Sequence, residues 1–186
     1  IAGIEPEYHL DPVLAYNFVV KCKDIPENVA EEQYMILYGY SGRFTKDECK
    51  DIRAYAQKRG LKVFCIGGVQ DACDKFIDCN PFQVIAYFQH AECVVTDTFH
   101  GTILSVITHR PFASVIRNAG YGNAEKLTDL LGRLSLNDRI IGSLKELPQL
   151  LKKDIDYKAV DEVVRNERKK SYAYLERQIK NECENN

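Results

Sequence analysis

Apolar residues in this chain fall into short unbroken runs, and between the runs they recur at helical spacing. Tyr34-Met35-Ile36-Leu37-Tyr38 predicts a strand, closed by the turn-forming Gly39-Tyr40-Ser41-Gly42. Thr45 and Glu48 then have the spacing of a capping box, with Phe44 one position before the cap and Gly60 after the last turn, which predicts a helix over 46–59. Leu61 to Ile66 predicts the next strand, ended by Gly67-Gly68, and 81–91 reads as a helix with Pro81 in its first turn. Cys93-Val94-Val95-Thr96 predicts a third buried strand. A helix from about Phe99 to Thr108 follows, placing Ile103, Leu104 and Ile107 on one side and stopping at Pro111. Phe112 to Ile116 predicts a fourth strand, 124–131 a helix stopped by Gly132, and Ser143 with Glu146 the cap of a further short helix.

Near-continuous apolar strands alternating with helices predict an α/β fold, a Rossmann-like parallel sheet flanked by helices, over residues 34–155. Residues 1–33, with Pro6, Pro12 and Pro26, several acidic residues and no sustained period, read as a connector. Residues 156–186 read as a C-terminal amphipathic helix, in which Val160, Val163, Val164, Tyr174, Leu175 and Ile179 recur at helical spacing. The chain begins at Ile1, which points to a processed protein or an excised piece of a longer one.

With 186 residues, 45% of them apolar and 28% charged, the chain can bury an ordinary globular core. A formal net charge of −2 offers no positive field for nucleic acid or anionic lipid. The basic cluster Arg165, Arg168, Lys169 and Lys170 is interleaved with Asp161, Glu162 and Glu167 and reads as a solvated helix face. Seven cysteines without a C-x-x-C pair argue against a zinc or thioredoxin-type site, and Cys65 and Cys93 read as reduced thiols packed in strands. Reduced thiols, the lack of a glycosylation sequon and the lack of an opening signal segment point to the cytoplasm. No apolar run approaches the roughly 18 residues of a transmembrane helix.

Chemistry concentrates in Thr96-Asp97-Thr98-Phe99-His100-Gly101-Thr102, at a strand's carboxyl end and a helix's start. Ligands of open α/β sheets bind there, and a helix N-terminus turns free amides and its positive dipole end toward anions. A histidine side chain at this place, His100, can donate to a phosphate or carboxylate, or carry a proton. Gly101 would admit a ligand close to the backbone. In the plainer reading, Asp97 or Thr98 caps the helix and His100 packs. Asp97 itself reads either as that cap or as a group orienting His100.

Val94-Val95-Thr96-Asp97-Thr98-Phe99-His100-Gly101-Thr102-Ile103-Leu104-Ser105, followed by Arg110-Pro111-Phe112, resembles the signature of the polysaccharide pyruvyl transferase family, with Thr98 in place of the commoner serine. Asp11-Pro12-Val13-Leu14, Asn118, the stretch around Gly132, and Ser171 and Leu175 of the last helix support the likeness. The resemblance implies the C-terminal half of a two-domain, GT-B-type transferase of bacterial surface-polysaccharide synthesis, with the facing N-terminal domain as its partner. It implies phosphoenolpyruvate as donor substrate, a sugar or lipid-linked oligosaccharide as acceptor, transfer as a cyclic ketal, and no metal or other cofactor. An isolated half would then be nearly inactive.

On that reading His100 is the catalytic residue, and Thr98, Phe99, Gly101 and Asn118 bind substrate. Arg43 serves as the cation for the phosphate, or else stands as an exposed turn arginine. Arg117 and Asn118 either line the same edge or belong to a surface loop. His9, His90 and His109 carry no assigned role, and Tyr38, Tyr40 and Tyr121 either stack on a sugar or pack. Two other functions fit the fold: a nucleotide-sugar glycosyltransferase, and a non-catalytic module that binds an anion or a protein. No G-x-G-x-x-G or G-x-x-x-x-G-K-[ST] motif is present, and no acidic residue is placed for a ribose.

Overall fold

A computed structural model describes residues 8–117 and 124–184, with side chains described through 180. Asn118 and Tyr121 lie outside the described residues. In chain order the elements are α1 (Pro12–Ala15), α2 (Phe18–Lys21), β1 (Tyr34–Tyr38), α3 (Lys46–Arg59), β2 (Lys62–Ile66), β3 (Lys75–Phe76), α4 (Pro81–His90), β4 (Val94–Thr96), α5 (Phe99–Ile107), β5 (Phe112–Val115), α6 (Ala124–Arg133), β6 (Ile140–Ile141), α7 (Leu147–Leu150) and α8 (Tyr157–Glu184). The strands form one sheet in the order β3-β2-β1-β4-β5-β6, with every neighbouring pair parallel. This is an α/β, Rossmann-like architecture.

Period-two geometry sorts the strand residues onto two faces. Tyr34 and Ile36 of β1, Phe64 and Ile66 of β2, Val94 of β4 and Phe112 of β5 join one core with Phe88, Ile103, Leu131 and Val164 from the helices on that side. Met35 and Leu37, Val63 and Cys65, Val95, and Ala113 and Val115 face the opposite way, onto Cys49, Ile52 and Ala56 of α3 and Leu147 and Leu150 of α7. Both faces are covered, which is why the strands read as unbroken apolar runs. Burial pushes the Cys93 thiol up to about 12, so it packs as a protonated, inert group.

The capping signals hold where they are local. Thr45 and Glu48 make the reciprocal bonds of a capping box, and Gly60 ends α3 in the left-handed region at φ 67°. Asn80 and Gln83 make a second box, with Pro81 in the first turn of α4. Gly132, by contrast, does not stop α6. The helix runs to Arg133, and the chain turns at Ser135, whose φ is 57°. Ser143 and Glu146 do not form a capping box either. Ser143 Oγ accepts from the Lys145 amide, and a 3-10 turn over Leu144–Glu146 leads into α7. The two-residue strands β3 and β6 are too short to show alternation and arise only by pairing with β2 and β5.

The segment before β1 folds onto the domain. Asp11 and Asn17 cap the single turns α1 and α2, and Leu14 is fully buried. Leu10 donates its amide to Ser171 Oγ at 3.2 Å, and Arg168 Nε donates to the Leu14 carbonyl at 2.6 Å. Arg168 is therefore half-buried and structural, whereas Arg165, Lys169 and Lys170 are exposed. The apolar stripe of α8 divides: Val160 and Val164 are buried, Tyr174 packs against the His9 ring at a tilt, with centroids 4.2 Å apart, and Leu175 and Ile179 are exposed. His109 adopts a positive φ of 55° at the end of α5, lies 2.9 Å from Asp161 and stacks on Tyr157, which fastens the start of α8.

Candidate functional site

The sheet order changes direction at β1 and β4, and the carboxyl ends of those strands diverge into the loops that make a cavity of about 610 Å³. Its walls include Tyr38, Tyr40 and Arg43 from the end of β1, Gly67 from the end of β2, Thr98, Phe99 and His100 from the start of α5, His9 and Asp11 from the segment before α1, and Lys126 from α6.

The loop that carries Arg43 is locked to the loop after β2. Gln70 Nε2 donates to the Tyr40 carbonyl at 2.6 Å while its Oε1 accepts from the Phe44 amide at 3.2 Å. Gly68 makes the close approach possible, since a Cβ there would sit 2.1 Å from the Ser41 nitrogen. Arg43 is no exposed turn arginine. Its side chain is 8% exposed and its Nε lies 2.8 Å from Asp97 Oδ2.

Asp97 does not cap α5. It is fully buried, and the same Oδ2 receives Arg43 Nε at 2.8 Å and Arg117 Nε at 3.3 Å. Burial pushes its carboxyl above the ordinary range while the guanidiniums of Arg43 and Arg117 work to lower it. Arg117 Nε donates a hydrogen bond to that oxygen and Arg43 stands against it as an ion pair, so both guanidiniums favour the ionised carboxylate. Arg117 is likewise not a surface-loop residue: it bonds Glu48 through two nitrogens at 2.6 and 3.2 Å and covers the Phe44 ring at 5.0 Å. Burial opposes ionisation of Glu48, yet the Arg117 hydrogen bond and the Thr45 amide together hold its carboxyl below the usual value.

The cap of α5 is Thr98. Its Oγ1 accepts from the Gly101 amide at 2.9 Å, and Thr96 Oγ1 takes the Thr98 amide at 3.1 Å. The first-turn amides of Phe99 and His100 have no acceptor among the described residues. Gly101 has a packing role. A Cβ there would meet Thr96 Oγ1 at 2.2 Å and Tyr38 Cδ1 at 2.8 Å, so the glycine lets α5 seat against β4 and β1. His100 has a side chain 58% exposed, with Nε2 3.8 Å from Asp11 Oδ2. Burial and the neighbouring Tyr40 push the Tyr38 phenol up, so it faces the cavity as a neutral hydroxyl.

Of the residues singled out in the sequence, Arg43, Thr98, Phe99 and His100 thus line one cavity, Gly101 packs beneath it, and Asn118 lies outside the described residues. His9, Asp11 and Lys126 were not expected in the site. Only the long-range docking of the segment before α1 and of α6 brings them there. Among the described residues no three His, Cys, Asp or Glu side chains converge in a metal-binding group, and no helix is long and apolar enough to cross a membrane.

Among solved structures the glycotransferase of kitacinnamycin is 12% identical, with 82% of this chain and 42% of that one covered and a TM-score of 0.51, a likeness of fold alone. The glycosyltransferase SnogD from Streptomyces nogalater is 11% identical, over 76% of this chain and 40% of that one, with a TM-score of 0.46. The iron-containing dodecameric glycosyltransferase TibC from enterotoxigenic E. coli H10407 is 14% identical, over 50% and 29%, with a TM-score of 0.40. The chain therefore spans less than half the length of each of these proteins. No curated protein matches it significantly. The model of the polysaccharide pyruvyl transferase family matches residues 10–119, which include β1 to β5, the capped start of α5 and its histidine, and the chain belongs to that family.

Proposed function

We propose that this chain forms the donor-binding half of a pyruvyl transferase that takes phosphoenolpyruvate and ketalates two hydroxyls of one sugar. The observation that carries this reading is the convergence of Arg43, Lys126, His100 and the two first-turn amides of α5 on one cavity at the switch point of the sheet. A small ligand with two anionic groups suits that set: cations and amides answer phosphate and carboxylate, and the histidine adds a proton carrier.

In the reaction the methylene carbon of the donor gains a proton and becomes a methyl group. Positive charge develops on the neighbouring carbon, whose bond to the phosphate oxygen breaks. Two acceptor hydroxyl oxygens bond to that carbon, and their two protons balance the one on the methyl group and the one carried off with phosphate. His100 is the group we assign to deliver the proton, and the α5 amides, Arg43 and Lys126 hold the anionic groups as charge redistributes. Acceptor groups must be positioned across the cavity, which we assign to a facing half of the transferase.

Calorimetric titration of the chain with phosphoenolpyruvate, beside His100→Ala and a panel of nucleotide sugars, tests the reading. Saturable binding that weakens at least tenfold in the variant, with no response to the nucleotides, supports it. Nucleotide-sugar binding without phosphoenolpyruvate binding replaces it with a glycosyltransferase.

A further inference from the structure

A charged chain runs inward from the cavity wall: Arg43, Asp97, Arg117 and Glu48 in series, ending at the capped N-terminus of α3. Asp97 is its centre. The carboxylate is fully buried at the end of β4, and one of its oxygens accepts a hydrogen bond from Arg117 Nε at 3.3 Å and pairs with Arg43 Nε at 2.8 Å. Arg117 is held from its other side by the two bonds to Glu48, whose carboxylate also accepts the Thr45 amide at 2.8 Å. The ring of Phe44 lies under the Arg117 guanidinium, and Gly39 leaves room for the carboxylate, since a Cβ there would stand 3.0 Å from Asp97 Oδ1. Of these groups, Arg43 alone lines the cavity.

We infer that Asp97 is the positioning residue of the site, acting through Arg43. The Arg43 side chain is 8% exposed and its Nε lies 2.8 Å from the fixed Asp97 carboxylate, so that ion pair restricts where the guanidinium can go before any ligand arrives. An arginine tethered only by its aliphatic stem would give up rotamer freedom on binding. Asp97 removes that freedom in advance, and the Arg117–Glu48 pair keeps Asp97 from following Arg43 toward an anion. The inference rests on the donor reading given above.

The sign of one substitution separates positioning from simple charge. Asp97→Asn removes a negative charge close to a cavity that takes an anion, so electrostatics alone predicts tighter binding of phosphoenolpyruvate. Positioning predicts binding about two- to tenfold weaker, and no further loss when the substitution is added to Arg43→Ala, because the residue then has nothing to position. If Asp97→Asn fails to fold, Gly39→Ala, which presses on the carboxylate without removing it, takes its place in the same cycle.

A measurement on the unsubstituted chain adds a readout independent of ligand: the Nε proton of Arg43, followed by NMR, should exchange slowly with water. Slow exchange, weaker binding and a non-additive cycle together support the inference. Binding by the variant as tight as native or tighter, additive losses, or fast exchange of that proton overturn it and leave the donor reading standing. Failure of the unsubstituted chain to bind phosphoenolpyruvate overturns the donor reading and this inference with it.

Discussion

The hydroxyls of Thr96 and Thr98 lie 3.0 Å apart, and between them they take the Thr98 and Gly101 amides, so the last residue of β4 and the cap of α5 form one hydrogen-bonded corner. That corner fills the space a side chain at 101 would need. Gly101→Ala should destabilise the fold by about 1–3 kcal/mol through overpacking against Thr96, Thr98 and Tyr38. Chemical denaturation checks it; a midpoint equal to that of the native chain would show that the corner is looser than its geometry.

Thr98→Ala should cost about 1 kcal/mol by removing the α5 cap, whereas Thr98→Ser should retain most of that stability. Phosphoenolpyruvate affinity should follow the same order, because the uncapped turn no longer holds the Phe99 and His100 amides in place. Parallel melting curves and titrations of the two variants decide it.

His100 is more than half exposed and lies on the cavity wall, so its loss should separate function from stability. His100→Ala should unfold within about 0.5 kcal/mol of the native chain, as surface substitutions do, while donor binding weakens at least tenfold. Lys126→Ala should also weaken binding, by a smaller factor, since an exposed lysine is a mobile and well-hydrated cation. Equal binding by native chain and His100→Ala would remove the histidine from the site.

The Glu48 carboxyl is held below its ordinary value of 4.5 in the folded chain, against the opposing effect of burial, by Arg117 and the Thr45 amide. A carboxyl depressed by folding contributes stability that is present above its unfolded value and is lost as pH falls through the folded one. The native chain should therefore lose stability below about pH 4.5 more steeply than Glu48→Gln does. Unfolding curves of both from pH 7 to pH 3 test this, and parallel curves would show that Arg117 does not favour the ionised form.

Much of the fold was legible because its causes are local. The Thr45–Glu48 box and Gly60 bound α3 within a few residues of themselves, and the uninterrupted Met35-Ile36-Leu37 run announces a strand covered on both faces. Gly132 misled because a glycine is also tolerated within a helix, and only the following residues decide where the turn falls. The strands β3 and β6 escaped because two residues carry no period.

At the site, the sequence by itself determined that a helix begins immediately after a buried strand at Thr96, that its first turn carries His100, and that an arginine follows the first strand. Strand propensity, capping and periodicity act over a few residues, so those features needed no partner. Tertiary structure alone decided that Asp97 serves two arginines instead of the helix cap, that Arg117 turns inward, and that His9, Asp11 and Lys126 share the wall with His100. A buried charge takes whatever partner the packed sheet brings to it, and in this chain the partner came from the ends of other strands.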